Sequence, residues 1–277
     1  MRDLKGKVAA VTGAASGLGR AMALAFADEG MSLALADVSD LSETSSEIQK
    51  RGVRTVALKV DVSKAEEVEA FAALADRELG GAHVVCNNAG VSPLGAAWET
   101  SVDDWRWILG VNLWGVIHGV RSFVPRLMAR GDGHVVNTAS VAGIINPPGS
   151  GAYNVTKHAV VALSETLQHD LRERGSKVGV SVLCPAYVPT GIADSERNRP
   201  AGFAPTPMSK EMLARQAMLR KAVSSGRLTA DDVARAVVSA VKAERFYILT
   251  HARIKGAIRA RMEDILEDRP PTNPMSV

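Results

Sequence analysis

The sequence predicts an α/β domain of the doubly wound type, with a seven-stranded parallel sheet covered by helices on both faces. Two patterns carry this. Short apolar runs alternate with longer amphipathic stretches from the first residues onward, as βαβ units require. A glycine-rich turn also stands between the first apolar run and the first helical stretch, the place where such sheets receive ligands.

The first strand is predicted over residues 8–12 and the first helix over 18–29, closed by Gly30 as a C-terminal cap. A second strand follows over 31–37 and a third over 53–60. Ser63 and Glu66 have the spacing of a capping box, and Val68, Phe71, Ala72, Ala75 and Leu79 recur on one helical face. Further strands are expected over 82–87, 134–139, 178–184 and 246–250. Thr229 and Asp232 can cap a helix into Val241, and Ile254, Ile258, Met262 and Ile265 suggest a last helix. Residues 186–210 hold four prolines and no clear period, so a substrate lid is expected near 186–225 within a single catalytic domain over 1–269. Residues 270–277 are expected to form a flexible tail.

Composition excludes several classes. With 277 residues, 46% hydrophobic and 23% charged, the chain is neither disordered nor fibrous. Its net charge of +3 is spread rather than blocked, which gives nucleic-acid binding little support. No apolar run approaches a membrane span and no signal-peptide core is present, so a cytoplasmic protein is expected. Cys86 and Cys184 lie in apolar strand segments and read as buried thiols, and the six histidines show no metal-ligand spacing.

The turn reads Thr12-Gly13-Ala14-Ala15-Ser16-Gly17-Leu18-Gly19. Glycines let the backbone turn tightly and approach a ligand, and the following helix N-terminus offers free N–H groups to a pyrophosphate. Gly13, Ser16, Gly17, Leu18 and Gly19 are therefore the expected phosphate contacts. Asp37, ending the second strand, would bind the adenosine ribose hydroxyls and repel a 2′-phosphate, favouring NAD over NADP. Arg20, one step into the helix, keeps NADP open as the alternative.

Tyr153 and Lys157 stand four residues apart on one helical face. A phenol is a poor base at neutral pH, and a neighbouring ammonium lowers its pKa. Tyr153 can then exchange a proton with an alcohol or carbonyl oxygen that Ser140, at the end of the fifth strand, helps to hold. Asn112, within the glycine-bounded run 110–115, can anchor a water or interrupt a helix near the lysine.

Together the glycine turn, Asp61-Val62, Asn87-Asn88-Ala89-Gly90, Asn112, Ser140 and Tyr153-x-x-x-Lys157 resemble the short-chain dehydrogenase/reductase family over almost the whole chain. The resemblance implies a Rossmann-like fold and a catalytic tetrad of Asn112, Ser140, Tyr153 and Lys157. In such enzymes the lysine also holds the nicotinamide ribose and the asparagine supports a water relay. Asp61 and Val62 would flank the adenine, Asn88, Ala89 and Gly90 would line the cofactor groove, and Pro185, Val188 and Thr190 would meet the nicotinamide end. A homo-oligomer, a dimer or tetramer such as a homotetramer, is implied as well. Pro185-Ala186 stands where the family commonly has Pro-Gly, which bears on substrate shape.

The expected substrate is a hydrophobic secondary alcohol or ketone with an aromatic, alicyclic or steroid-like body. Ser92, Pro93, Leu94, residues 141–147, Tyr187, Ile192 and Phe203 should surround it. Residues 105–125 and 186–200 resemble bacterial members that oxidise benzylic alcohols of lignin-derived compounds. Arg197 and Arg199 read as solvated loop arginines, and Trp98, Trp105, Trp107 and Trp114 as core or subunit packing. An NADPH-dependent ketone reductase and a non-catalytic dinucleotide sensor are the alternative functions.

Overall fold

Alternate residues of the first strand, β1 (Val8–Thr12), pack into different layers, which sets the architecture. Ala9 and Val11 join one apolar core, and Val8 and Ala10 join another on the opposite face. The computed structural model describes residues 1–277. Its other strands are β2 (Ser32–Asp37), β3 (Thr55–Lys59), β4 (Val84–Asn87), β5 (Gly133–Thr138), β6 (Val178–Cys184) and β7 (Tyr247–Leu249). All pair in parallel in the order β3-β2-β1-β4-β5-β6-β7. The predicted seven-stranded doubly wound sheet is thus present, as one Rossmann-like domain. The order reverses between β1 and β4, and this opens a crevice at their carboxyl ends.

One face is covered by α1 (Gly17–Asp28), α2 (Ser42–Gln49) and α8 (Ala230–Ala243), with Met22, Phe26, Val237 and Val241 fully buried against Leu33 and Leu35. The other carries α3 (Ala65–Leu79), α4 (Val102–Leu109), α5 (Gly115–Arg130) and α6 (Gly151–Glu173). Phe71 of α3 meets Phe123 of α5 edge to face at 5.8 Å. The five residues predicted as the buried stripe of α3 are all buried. No helix is long and apolar enough to cross a membrane.

Two caps behave differently. Thr229 and Asp232 form the expected capping box of α8. The box expected from Ser63 and Glu66 is not made, because α3 starts at Ala65 and a nearer acceptor is available. The Ser63 hydroxyl donates to Asp61 Oδ1 at 2.7 Å, and Glu67 accepts the Asp61 N–H at 2.7 Å.

Between α4 and α5 the chain makes one π-helical turn, Gly110–Trp114, which carries Asn112. The proline-rich segment contains a 3₁₀ stretch, Gly191–Asn198, and leads into α7 (Lys210–Ser224), a helix the sequence pattern did not announce. Only Met212 and Val223 of α7 are buried, so its apolar stripe is too thin to show as a period. The last helix, α9 (Ile254–Leu266), is followed by a short turn, Pro274–Ser276.

Candidate active site

The crevice holds a cleft of about 810 Å³, walled by the glycine turn, the ends of β2, β3, β4 and β5, α6 and the segment after β6. All but one of the expected cofactor residues line it; the exception is Gly19. A β-carbon on Gly19 would fall 1.9 Å from the Gly13 carbonyl oxygen and 2.7 Å from Asn88 Nδ2. Its role is therefore to let the turn close against Asn88, behind the wall rather than on it.

That turn is held by side chains whose part the sequence did not reveal. The Thr12 hydroxyl accepts the N–H groups of Asn88 and Ala89, at 2.9 and 3.1 Å. Asn88 donates from Nδ2 to the Thr12 carbonyl at 3.0 Å and accepts from the Thr138 hydroxyl. These bonds tie β1, β4 and β5 together where the sheet splits. Thr12 opens the quoted motif and Thr138 lies two residues before Ser140, but a strand-end threonine carries no separate sequence signal. Asp37 accepts the Ala15 N–H at 2.9 Å and the Ser39 N–H at 2.9 Å, so it shapes the turn as well as facing the cleft. The first turn of α1 has no side-chain cap and no acidic residue, which leaves its positive end available to an anion.

Tyr153, Lys157 and Ser140 meet in the same cleft. Lys157 is buried beneath Tyr153, with Nζ 5.7 Å from the ring centroid, and donates to the Thr138 carbonyl at 2.8 Å. The Ser140 hydroxyl accepts the Ala142 N–H and points toward the Pro185 carbonyl at 3.4 Å. Burial pulls the Lys157 ammonium down to about 8. Burial also pushes the Tyr153 phenol above its ordinary value, with the Ser140 hydroxyl pulling the other way. The expectation that a neighbouring ammonium lowers the phenol is thus corrected for the free protein, where desolvation outweighs it. Cys184, buried behind the pair, has its thiol pushed up to about 12 by burial, and Cys86 is raised by the same cause.

Asn112 is fully buried and off the cleft surface. Its Oδ1 accepts the Val91 N–H at 2.8 Å, and its Nδ2 donates to the Val91 carbonyl at 2.9 Å and the Thr156 hydroxyl at 3.3 Å. It clamps the loop after β4 to α6, and those bonds go to Val91 and Thr156 rather than to Lys157. His158 packs with Nδ1 3.0 Å from the Asn154 carbonyl of its own helix.

The expected substrate wall needs correction. Ile192 and Phe203 line the cleft, joined by Val91, Trp107, Val188 and Val223. Ile144, Ile145, Tyr187 and residues 92–94 do not. The 3₁₀ turn Val141–Gly143 folds against Lys157, burying Ile145, while Tyr187 is exposed. Ser92 instead donates its N–H to the Ser195 hydroxyl at 2.9 Å. The tryptophans divide, Trp107 buried and Trp98 87% exposed.

Arg199 is the clearest departure from expectation. It is largely covered, 2.6 Å from the fully buried Asp104 and 2.7 Å from Glu196, and lies 4.5 Å over the Trp107 ring. Asp104 also accepts the N–H and hydroxyl of Thr206. Asp104 looked like an ordinary acidic residue in the first turn of a helix, so its distant partners were invisible in the sequence.

Known proteins share this architecture. The short chain dehydrogenase family model matches residues 7–201. A short chain dehydrogenase/reductase from Burkholderia phymatum, solved in complex with NAD, has 48% sequence identity and a TM-score of 0.97, covering 100% of both chains. LigO from Sphingobium sp. strain SYK-6, in its apo form, has 30% identity and a TM-score of 0.79 over 97% of this chain and 90% of its own. The 1-deoxy-11-beta-hydroxypentalenate dehydrogenase of Streptomyces exfoliatus is 36% identical over 98% of this chain and 93% of that protein.

Proposed function

Because the chain belongs to the short-chain dehydrogenase family and is an NAD(P)-dependent oxidoreductase, we propose that it transfers hydride between NAD and a hydrophobic secondary alcohol or its ketone. The observation that carries this reading is the meeting of Tyr153, Lys157 and Ser140 in the cleft that also holds the glycine turn and Asp37.

The residues fit a dinucleotide. A β-carbon at Gly17 would come 3.3 Å from Thr190, so the glycine keeps that side of the uncapped start of α1 unobstructed, where a pyrophosphate would bind. Asp37 would accept from the adenosine ribose, Asp61 and Val62 would flank the adenine, and Val188 and Thr190 would lie at the nicotinamide. The NAD of the Burkholderia phymatum relative supports the same choice. When bound, the oxidised nicotinamide supplies the hydride acceptor and a positive charge beside the phenol.

Within that site Ser140 holds the substrate oxygen and Tyr153 takes its proton during oxidation, or returns it during reduction. The Lys157 ammonium stabilises the phenolate. Asn112 positions the loop that closes the site. The bare Cα of Gly90 leaves a space whose would-be β-carbon lies 3.3 Å from Asn112 Oδ1 and 3.7 Å from Lys157 Nζ, which supports a water relay between them.

Trp107, Val188, Ile192 and Phe203 give the substrate end an apolar wall suited to an aromatic or alicyclic body. The name of the Streptomyces relative, a dehydrogenase of a hydroxylated compound, supports that substrate class. A panel of secondary alcohols assayed with NAD by nicotinamide absorbance is expected to show turnover of benzylic and alicyclic members. Turnover of polyols alone would remove the hydrophobic reading, and hydride transfer from none would favour the dinucleotide sensor.

Residues 186–225 serve as the lid, docked by the Asp104–Arg199 pair. Asp104→Ala removes the buried anchor and leaves Arg199 only its more exposed partner, Glu196, so the loss is expected near or below the low end of the about 3–5 kcal/mol of a broken buried pair. The variant is expected to raise KM for the alcohol about tenfold or more and to admit protease cuts within 186–225; unchanged KM and cleavage pattern would refute the docking role. The chain is also read as a homo-oligomer, because α9 leaves Met262, Ile265 and Leu266 exposed.

A further inference from the structure

Arg20 is the residue that, in sequence, kept NADP open as a cofactor, and the structure shows what restrains it. Its Nη2 lies 3.0 Å from Glu43 Oε1 and 2.7 Å from Glu47 Oε1. The two glutamates sit four residues apart on α2, so they share the face that meets α1. Glu43 is on the wall of the dinucleotide cleft, whereas Arg20 and Glu47 border a separate groove with Leu24 and Val238. The guanidinium is therefore drawn out of the cleft, and its buried Nε has no hydrogen-bond partner.

We propose that Glu43 and Glu47 determine cofactor specificity, by holding Arg20 away from the place a 2′-phosphate would occupy. This rests on the dinucleotide reading of the cleft. Arginine matches phosphate geometry better than any other side chain, so an unrestrained Arg20 beside the end of β2 would favour NADP. Instead Asp37, Asp40 and Glu43 all face that end of the cleft. Lys64, on the wall past β3, is engaged by Glu67 at 2.8 Å. A dianionic phosphate entering here meets carboxylates and no free cation. Asp37 is then one part of the discrimination, and its removal alone leaves the arginine still tied.

The test is a set of NADH and NADPH dissociation constants, read from nicotinamide fluorescence at low ionic strength where exposed charges are least screened. Asp37→Ser is expected to weaken NADH and to help NADPH little. Adding Glu43→Gln and Glu47→Gln to it should tighten NADPH about tenfold further, the size of one charged hydrogen bond to phosphate. Adding Arg20→Met to that triple variant should abolish the increment, while thermal melts confirm that each variant is folded. An increment that survives Arg20→Met would overturn the proposal, because removing acids would then account for it, and no increment would overturn it too. Equal affinity of the unmodified protein for both cofactors would refute the NAD preference itself, and binding of neither would refute the dinucleotide reading and this proposal with it.

Discussion

Tyr153→Phe is expected to lower kcat about 10³-fold or more, within the range that a positioned acid/base contributes, while the affinity for NADH changes little. The change removes one oxygen and keeps the ring that Lys157 underlies at 5.7 Å. Stopped-flow or steady-state absorbance gives the rate, and cofactor fluorescence gives the affinity. Retained turnover would remove Tyr153 as the proton donor and acceptor. In the free protein burial raises the phenol, so the variant also tests a second point: the pH dependence of kcat/KM for the alcohol, which rises toward the phenol's pKa in the unmodified enzyme, should flatten.

Lys157→Met should abolish most activity and yet make the free protein more stable. Burial pulls this ammonium from its ordinary 10.5 down to about 8, and each unit corresponds to about 1.4 kcal/mol. Below pH 8 the lysine is charged in both folded and unfolded chains, and the full cost of burying it, about 3 kcal/mol, is present. Between pH 8 and 10.5 the unfolded chain binds the proton that the folded chain has released, so this cost fades as pH rises. Loss of the hydrogen bond to Thr138 offsets about 1 kcal/mol of the gain. The variant should therefore melt roughly 4 °C or more above the unmodified protein at pH 7, with the difference shrinking toward pH 10. A lower melting temperature at pH 7 would show that the charge is stabilised in the free site by something other than the groups seen beside it.

What was legible in the sequence follows the range of the signals. Strands of doubly covered sheets are short and apolar throughout, and α3 and α8 repeat their buried residues with a helical period, so these elements showed themselves. Tyr153 and Lys157 were legible because their relation is local, four residues on one helix. Arg199 and Asp104 were not, since their contact joins residues far apart in the chain and neither has an unusual neighbour. Ile144 and Ile145 were misplaced for a similar reason. They follow the correct strand, but the 3₁₀ turn after Ser140 packs Ile144 against α6 and buries Ile145 away from the cleft. Ser63 shows the limit of spacing rules, because a capping pattern loses to a carboxylate two residues away.

The Asp104–Arg199 contact has a consequence for how substrate range can change. Asp104, Arg199 and Thr206 anchor the segment after β6, yet none of them lies on the cleft wall, which is made by Trp107, Val188, Ile192 and Phe203. Where the segment rests and what it presents are thus assigned to different side chains. Apart from Trp107, whose ring underlies Arg199, residues on the wall can be exchanged, large for small or apolar for polar, without disturbing the anchor, so variants at Ile192 and Phe203 can sample new alcohols on a backbone that stays in register.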